Sequence, residues 1–122
     1  MKKMIFIVLI AFISISVNAQ LANSKWKGIL VLDSPVDVIF DFKTDTLEAI
    51  VVADNSSLEL MQYSIKDTVL TIQKISGQST CQGTTVAKYK FELKDDSFVL
   101  TLIEDDCYDR ANVLDGTKWM KQ

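Results

Sequence analysis

The sequence predicts an all-β domain, an antiparallel up-and-down β-barrel of about eight strands. Three observations lead there. From Gln20 onward apolar and polar residues alternate, the two-residue period of half-buried strands. No stretch carries a helical period long enough to trust. Turn clusters rich in Asp, Asn, Ser and Gly, one of them holding the single proline, interrupt the alternation at short intervals. Periodicity alone allows a barrel or a sandwich. A meander of hairpins favours closure, because closure removes the exposed strand edges that invite aggregation.

The elements follow in order. Trp26 to Leu32 opens the series and ends at Asp33-Ser34-Pro35. Val36, Val38, Phe40 and Phe42 share one face of the next strand, and Asp37 and Asp41 the other. Leu47 to Ala53 is an almost continuous apolar run, closed by Asp54-Asn55-Ser56-Ser57. Leu58 to Ile65 and Val69 to Ile75 flank Lys66-Asp67-Thr68 and form a hairpin, with Leu70 and Ile72 on a common face. Ser76 to Thr85 is a Gly-, Ser- and Thr-rich loop carrying Cys81. Ala87, Tyr89, Phe91 and Leu93 alternate with Lys88, Lys90, Glu92 and Lys94. Asp95-Asp96 then turns the chain into Phe98, Leu100 and Leu102. An acidic loop from Glu104 carries Cys107 and Arg110, and a last short strand holds Trp119. Residues 105–112 leave room for a single helical turn.

Residues 1–19 read as a signal peptide. Lys2 and Lys3 precede the apolar run Met4 to Ile13, and Val17-Asn18-Ala19 offers small residues for cleavage before Gln20. The run is shorter than the roughly 20 residues that span a bilayer. The expected product is therefore a secreted or periplasmic domain of residues 20–122, soluble and without a membrane span. Losing Lys2 and Lys3 takes the formal charge from −3 to −5. An acidic surface argues against nucleic acid as a partner.

Cys81 and Cys107 are the two cysteines of the chain. Two cysteines in a small exported domain are expected to pair as a disulfide. Their separation is far from a redox Cys-x-x-Cys spacing, and with no histidine anywhere a thiolate metal site lacks its commonest second ligand. The run Glu104-Asp105-Asp106, with Asp109, lacks the spacing and the glycine of a calcium loop. It reads as solvated, with Asp106 and Asp109 available to orient Arg110. No metal and no cofactor are expected.

Three stretches together resemble the lipocalin-like (calycin) small barrels: Trp26-Lys27-Gly28 on the opening strand, Tyr89 through Leu102, and Asp106-Cys107-Tyr108-Asp109-Arg110 followed by the Trp119 strand. The resemblance implies that Trp26 packs against Arg110 as a pair closing one barrel end. It also implies a cup that admits a small apolar ligand, with Val38, Phe40, Ile50, Leu60, Leu70, Ile72, Tyr89, Phe91 and Leu100 as the lining. The same side chains would fill any small barrel. The expected role is non-enzymatic binding, since no His, and no local motif with another base, stands ready to activate a Ser or Cys nucleophile. The alternative is a secreted interaction or inhibitor module with a packed core. It would bind a protein partner through the Ser76–Thr85 and acidic loops.

Overall fold

Strands form where the alternation predicts them. In the computed structural model, which describes residues 21–122, they are β1 (Ser24–Val31), β2 (Pro35–Phe42), β3 (Thr46–Val51), β4 (Ser57–Lys66), β5 (Val69–Gly77), β6 (Val86–Lys94), β7 (Ser97–Asp105) and β8 (Lys118–Lys121). The expected signal peptide lies outside the described residues. One helix, α1 (Tyr108–Leu114), intervenes between β7 and β8 and is longer than the single turn expected there. Each strand pairs antiparallel with its neighbours in sequence, and β8 also pairs with β1 to complete a closed eight-stranded barrel.

Two tight turns set the register at one end. Lys66 pairs with Val69 and Lys94 with Ser97, leaving two-residue connections at Asp67-Thr68 and Asp95-Asp96. Asp67 and Asp95 each take φ 56°, a left-handed conformation that Asp tolerates better than most residues. These turns, the β2–β3 connection and the start of β1 make one end of the barrel, the floor. The β1–β2 and β3–β4 turns, the long loop after β5 and helix α1 make the other end, the mouth.

Aromatic rings plug the floor and the middle. Trp26, Phe40, Phe42, Phe91, Phe98 and Trp119 are all essentially buried. Trp119 stacks on Phe40 with ring centroids 3.6 Å apart and planes 11° from parallel. Phe98 meets the edge of Trp26 at 4.9 Å. Each buried indole also finds a partner for its polar edge within its own strand region. Trp26 Nε1 donates to Ser24 Oγ and Trp119 Nε1 to Thr117 Oγ1, both at 2.8 Å. Residues two apart share a face of a strand, so the pattern hydroxyl-x-Trp satisfies each N–H locally.

The Trp119–Phe40 stack requires Gly28. Strand β1 lies between β8 and β2, and the indole must cross it to reach Phe40. A Cβ at residue 28 would stand 2.6–2.9 Å from three atoms of the Trp119 ring. The ring is also stacked on Phe40, so making room for a Cβ would disturb that contact. Gly28→Ala is therefore expected to destabilise the fold by about 1–3 kcal/mol. A urea titration followed by tryptophan fluorescence measures the loss, and an unchanged midpoint would refute this account of the stack.

Candidate functional site

The mouth is where the interior opens. A cleft of about 530 Å3 is bounded by Leu30 and Leu32 of the β1 end, Phe40, Ala49 and Met61 inside the barrel, and Val113 and Leu114 of α1. Glu59, Ser79, Asp109 and Arg110 add polar groups to its wall. Its volume falls in the ordinary range of small-molecule sites, about 300–1,000 Å3. A second hollow, of about 710 Å3, lies outside the floor, but Asn23, Ser24, Lys25, Asp95 and Asp96 make much of its wall polar and it does not enter the barrel. The mouth cleft combines apolar walls with convergent polar groups and reaches Phe40 inside the barrel.

The disulfide builds the rim. Cys81 and Cys107 are joined with Cα atoms 5.5 Å apart, as the cysteine count predicts. The bond ties the loop after β5 to the residue preceding α1. Thr80 Oγ1 donates to Asp109 Oδ2 at 2.6 Å and Arg110 Nη2 to Thr85 O at 3.2 Å, so loop and helix are fastened at three places. On the far side Ser79 Oγ donates to Glu59 Oε1 at 2.6 Å and Ser79 N to Oε2 at 3.2 Å. Lys74 stands 3.8 Å from the same carboxylate. Gly77, at φ 141°, allows this, since a Cβ there would overlap Glu59 Oε2 and Leu58 O.

Beneath the rim lies a buried ionic cluster. Asp105 has no exposed side-chain surface and Arg110 only 6%. Arg110 Nε and Nη2 donate to the two Asp105 oxygens at 2.8 and 2.9 Å. Tyr89 Oη donates to Asp105 Oδ2 at 2.7 Å and Cys107 N to Oδ1 at 2.9 Å. Burial alone would push the Asp105 carboxyl up. The hydrogen bonds from Arg110, Tyr89 and Cys107, with the guanidinium charge, outweigh it and hold the group below its ordinary value. Burial, and then the hydrogen bond to Asp105, push the Tyr89 phenol well up. Tyr89 therefore stays neutral and serves as a donor.

Several expected site residues occupy other places. Trp26 and Arg110 do not meet. Trp26 packs on Phe98 at the floor, whereas Arg110 binds Asp105 at the mouth. Phe98 pairs with Leu93 and Asp105 with Ala87, so β6 separates the two sites by roughly 20 Å at about 3.3 Å per residue. The reason is topological: the chain leaves β7 upward into α1, and only β8 returns to the floor, where Lys121 pairs with Trp26. Arg110 is oriented by Asp105, in the run expected to be solvated, rather than by Asp106 or Asp109.

Among the expected lining residues, Phe40 reaches the cleft. Val38, Leu70, Ile72, Tyr89, Phe91 and Leu100 point inward but belong to the filled core. Ile50 and Leu60 are corrected to the outer face, half-exposed, where they pair with Ile39 and Glu48. Ala49, Met61 and Tyr63 take the inward positions beside them. Ala49 was recoverable in principle as the cross-strand partner of Phe40. Leu114 belongs to a helix that no sequence period announces.

No protein-family model matches the chain, and no match is found among curated proteins or solved structures. Among the described residues no helix is long and apolar enough to cross a membrane, and no group of three or more Cys, Asp or Glu is placed to hold a metal ion.

Proposed function

We propose that this chain is an exported, lipocalin-like carrier that binds a small apolar ligand in the upper half of its barrel. One observation carries the reading. The lower barrel is plugged by stacked rings, yet the space above Phe40 is a cleft of about 530 Å3 with mostly apolar walls. Burial of an apolar ligand against Leu30, Phe40, Ala49 and Met61 would be driven by the removal of both surfaces from water. The eight-stranded closed barrel supports the lipocalin-like comparison. The seal at the floor differs from the one that comparison implies, being aromatic rather than an indole–guanidinium pair. Export is supported by the basic and apolar pattern of residues 1–19 and by the disulfide. The proposed role is non-catalytic.

The test is a fluorescence titration with aminoanthracene, an uncharged dye that brightens in apolar surroundings. Saturable binding at one site per chain is expected, and Ala49→Phe, which extends a ring into the cleft, should weaken it by about tenfold or more. Absence of saturable binding by the folded protein would remove the carrier reading. It would favour the protein-binding alternative, for which Tyr108, 77% exposed on the rim beside Cys107, is the natural anchor.

A further inference from the structure

The seam that closes the barrel is joined only along its lower half. β8 pairs with β1 at Lys121–Trp26 and Met120–Lys27 and no further. Toward the mouth, the segment that precedes β8 keeps to β7 instead: Leu100 N donates to Thr117 O at 2.9 Å and Gly116 N to Leu100 O at 2.8 Å. Residues 28–31 of β1 therefore pair with β2 alone among the described residues. Strand parity identifies the main-chain groups left over. Lys25 O accepts from Gln122 N, so Lys25 turns toward the β8 side. Alternate residues of an antiparallel strand address the same neighbour, so Ile29 and Val31 each aim an N–H and a C=O into the gap.

That gap is an outer groove of about 580 Å3, with Ile29 and Val31 on one wall and Val113 and Lys118 on the other. Lys27 and Met120, where the two strands join, close its floor end. Ile29 is 56% exposed and Val31 64%. Unpaired main-chain groups flanked by bare apolar side chains are a template for an added strand. Charge sets the direction of that strand. Lys27 and Lys118 join no ion pair among the described residues. Asp115 lies toward the mouth, where it accepts from Leu102 N at 2.9 Å, and Asp37 stands on β2, beyond β1. A strand antiparallel to β1 runs from mouth to floor and brings its C-terminal end to the lysines. A parallel strand would bring an ammonium there. We propose that the groove captures the free carboxyl terminus of a partner protein, an extended apolar tail added antiparallel to β1. Its last residue lies opposite Ile29, whose N–H donates to the terminal carboxylate beside Lys27 and Lys118. The residue two before it exchanges both main-chain hydrogen bonds with Val31. This site is outside the barrel and independent of the carrier reading.

Fluorescence anisotropy with the fluorescein-labelled peptide Gly-Ser-Gly-Val-Ala-Val tests this, comparing a free C-terminal carboxylate with a C-terminal amide. Saturable binding of the free acid is expected, with the amide about tenfold weaker. N-methylation of the last valine removes its donor to Ile29 O and should weaken binding by about tenfold as well. Lys27→Gln combined with Lys118→Gln should lower the acid to the affinity of the amide. The wild-type series is decisive even if that variant does not fold. Equal binding of acid and amide, an N-methylated peptide that binds as well as its parent, or no saturable binding of the acid would each overturn the inference. All three leave aminoanthracene binding, and with it the carrier reading, untouched.

Discussion

Asp105→Ala is expected to remove about 3–5 kcal/mol of stability, the range found when one partner of a buried ion pair is deleted. The substitution removes the acceptor of four donors on three residues at once. Arg110 loses both of its carboxylate contacts, and Tyr89 Oη and Cys107 N lose their acceptor. Equilibrium urea unfolding monitored by circular dichroism gives the number, and a loss below about 1 kcal/mol would show that the cluster is not held as described. The same carboxylate sets an acid limb. Its folded pKa lies below the unfolded one, so its contribution is complete above the ordinary carboxylate range, near about 4. That contribution fades as the pH falls toward the folded value. In Asp105→Asn this limb should flatten. An unchanged slope between neutral and acid pH would assign acid sensitivity elsewhere.

Replacing Cys81 and Cys107 together by alanine is the second large effect. The bond closes a loop of 26 residues. Its removal is expected to cost roughly 3–4 kcal/mol on the chain-entropy account. The loss should also have a local signature. The fastened loop and helix form the rim of the cleft, so amide exchange is expected to accelerate in residues 78–85 and 107–114 ahead of the barrel strands. Uniform acceleration across the molecule would show that the bond stabilises the whole barrel without organising its mouth.

Much of the barrel was legible in the sequence because strand patterning is a surface-and-core rule that most of these residues obey. Lys88, Lys90 and Glu92 point out while Ala87, Tyr89 and Phe91 point in, with no exception along β6. The failures have specific causes. In β4 the apolar residues Leu58 and Leu60 alternate with Glu59 and Met61, and the charge of Glu59 argues for placing that register outside. The structure puts Glu59 inside, where Ser79 and Lys74 satisfy it, and so carries Met61 and Tyr63 inward with it. In β3 the run from Leu47 to Ala53 offers no alternation to read, and an irregularity in the β3–β4 pairing falls between Ala49 and Ile50. A buried, satisfied charge and a bulge both hide parity from any one-dimensional pattern.

The cleft was legible only in outline. Its apolar floor ring, Phe40, follows from alternation, but its ceiling comes from α1, whose Leu114 and Arg110 are brought over the opening by the disulfide and by Asp105. Asp105 lies in an acidic triplet that resembles solvated surface. Nothing local distinguishes it from Asp106. Its burial is decided by Arg110, which lies a turn of helix further on, and by Tyr89 on the neighbouring strand.

The seam between β1 and β8 has a consequence for how the chain comes to be folded. Trp26 aligns with Lys121, so the first and last strands of the cylinder meet across almost the whole described sequence. Until residues 118–121 are present, both β1 and β7 must wait with one margin bare, and Gly28 with no indole to cover it. A chain lacking β8 would therefore leave the sheet open between β1 and β7.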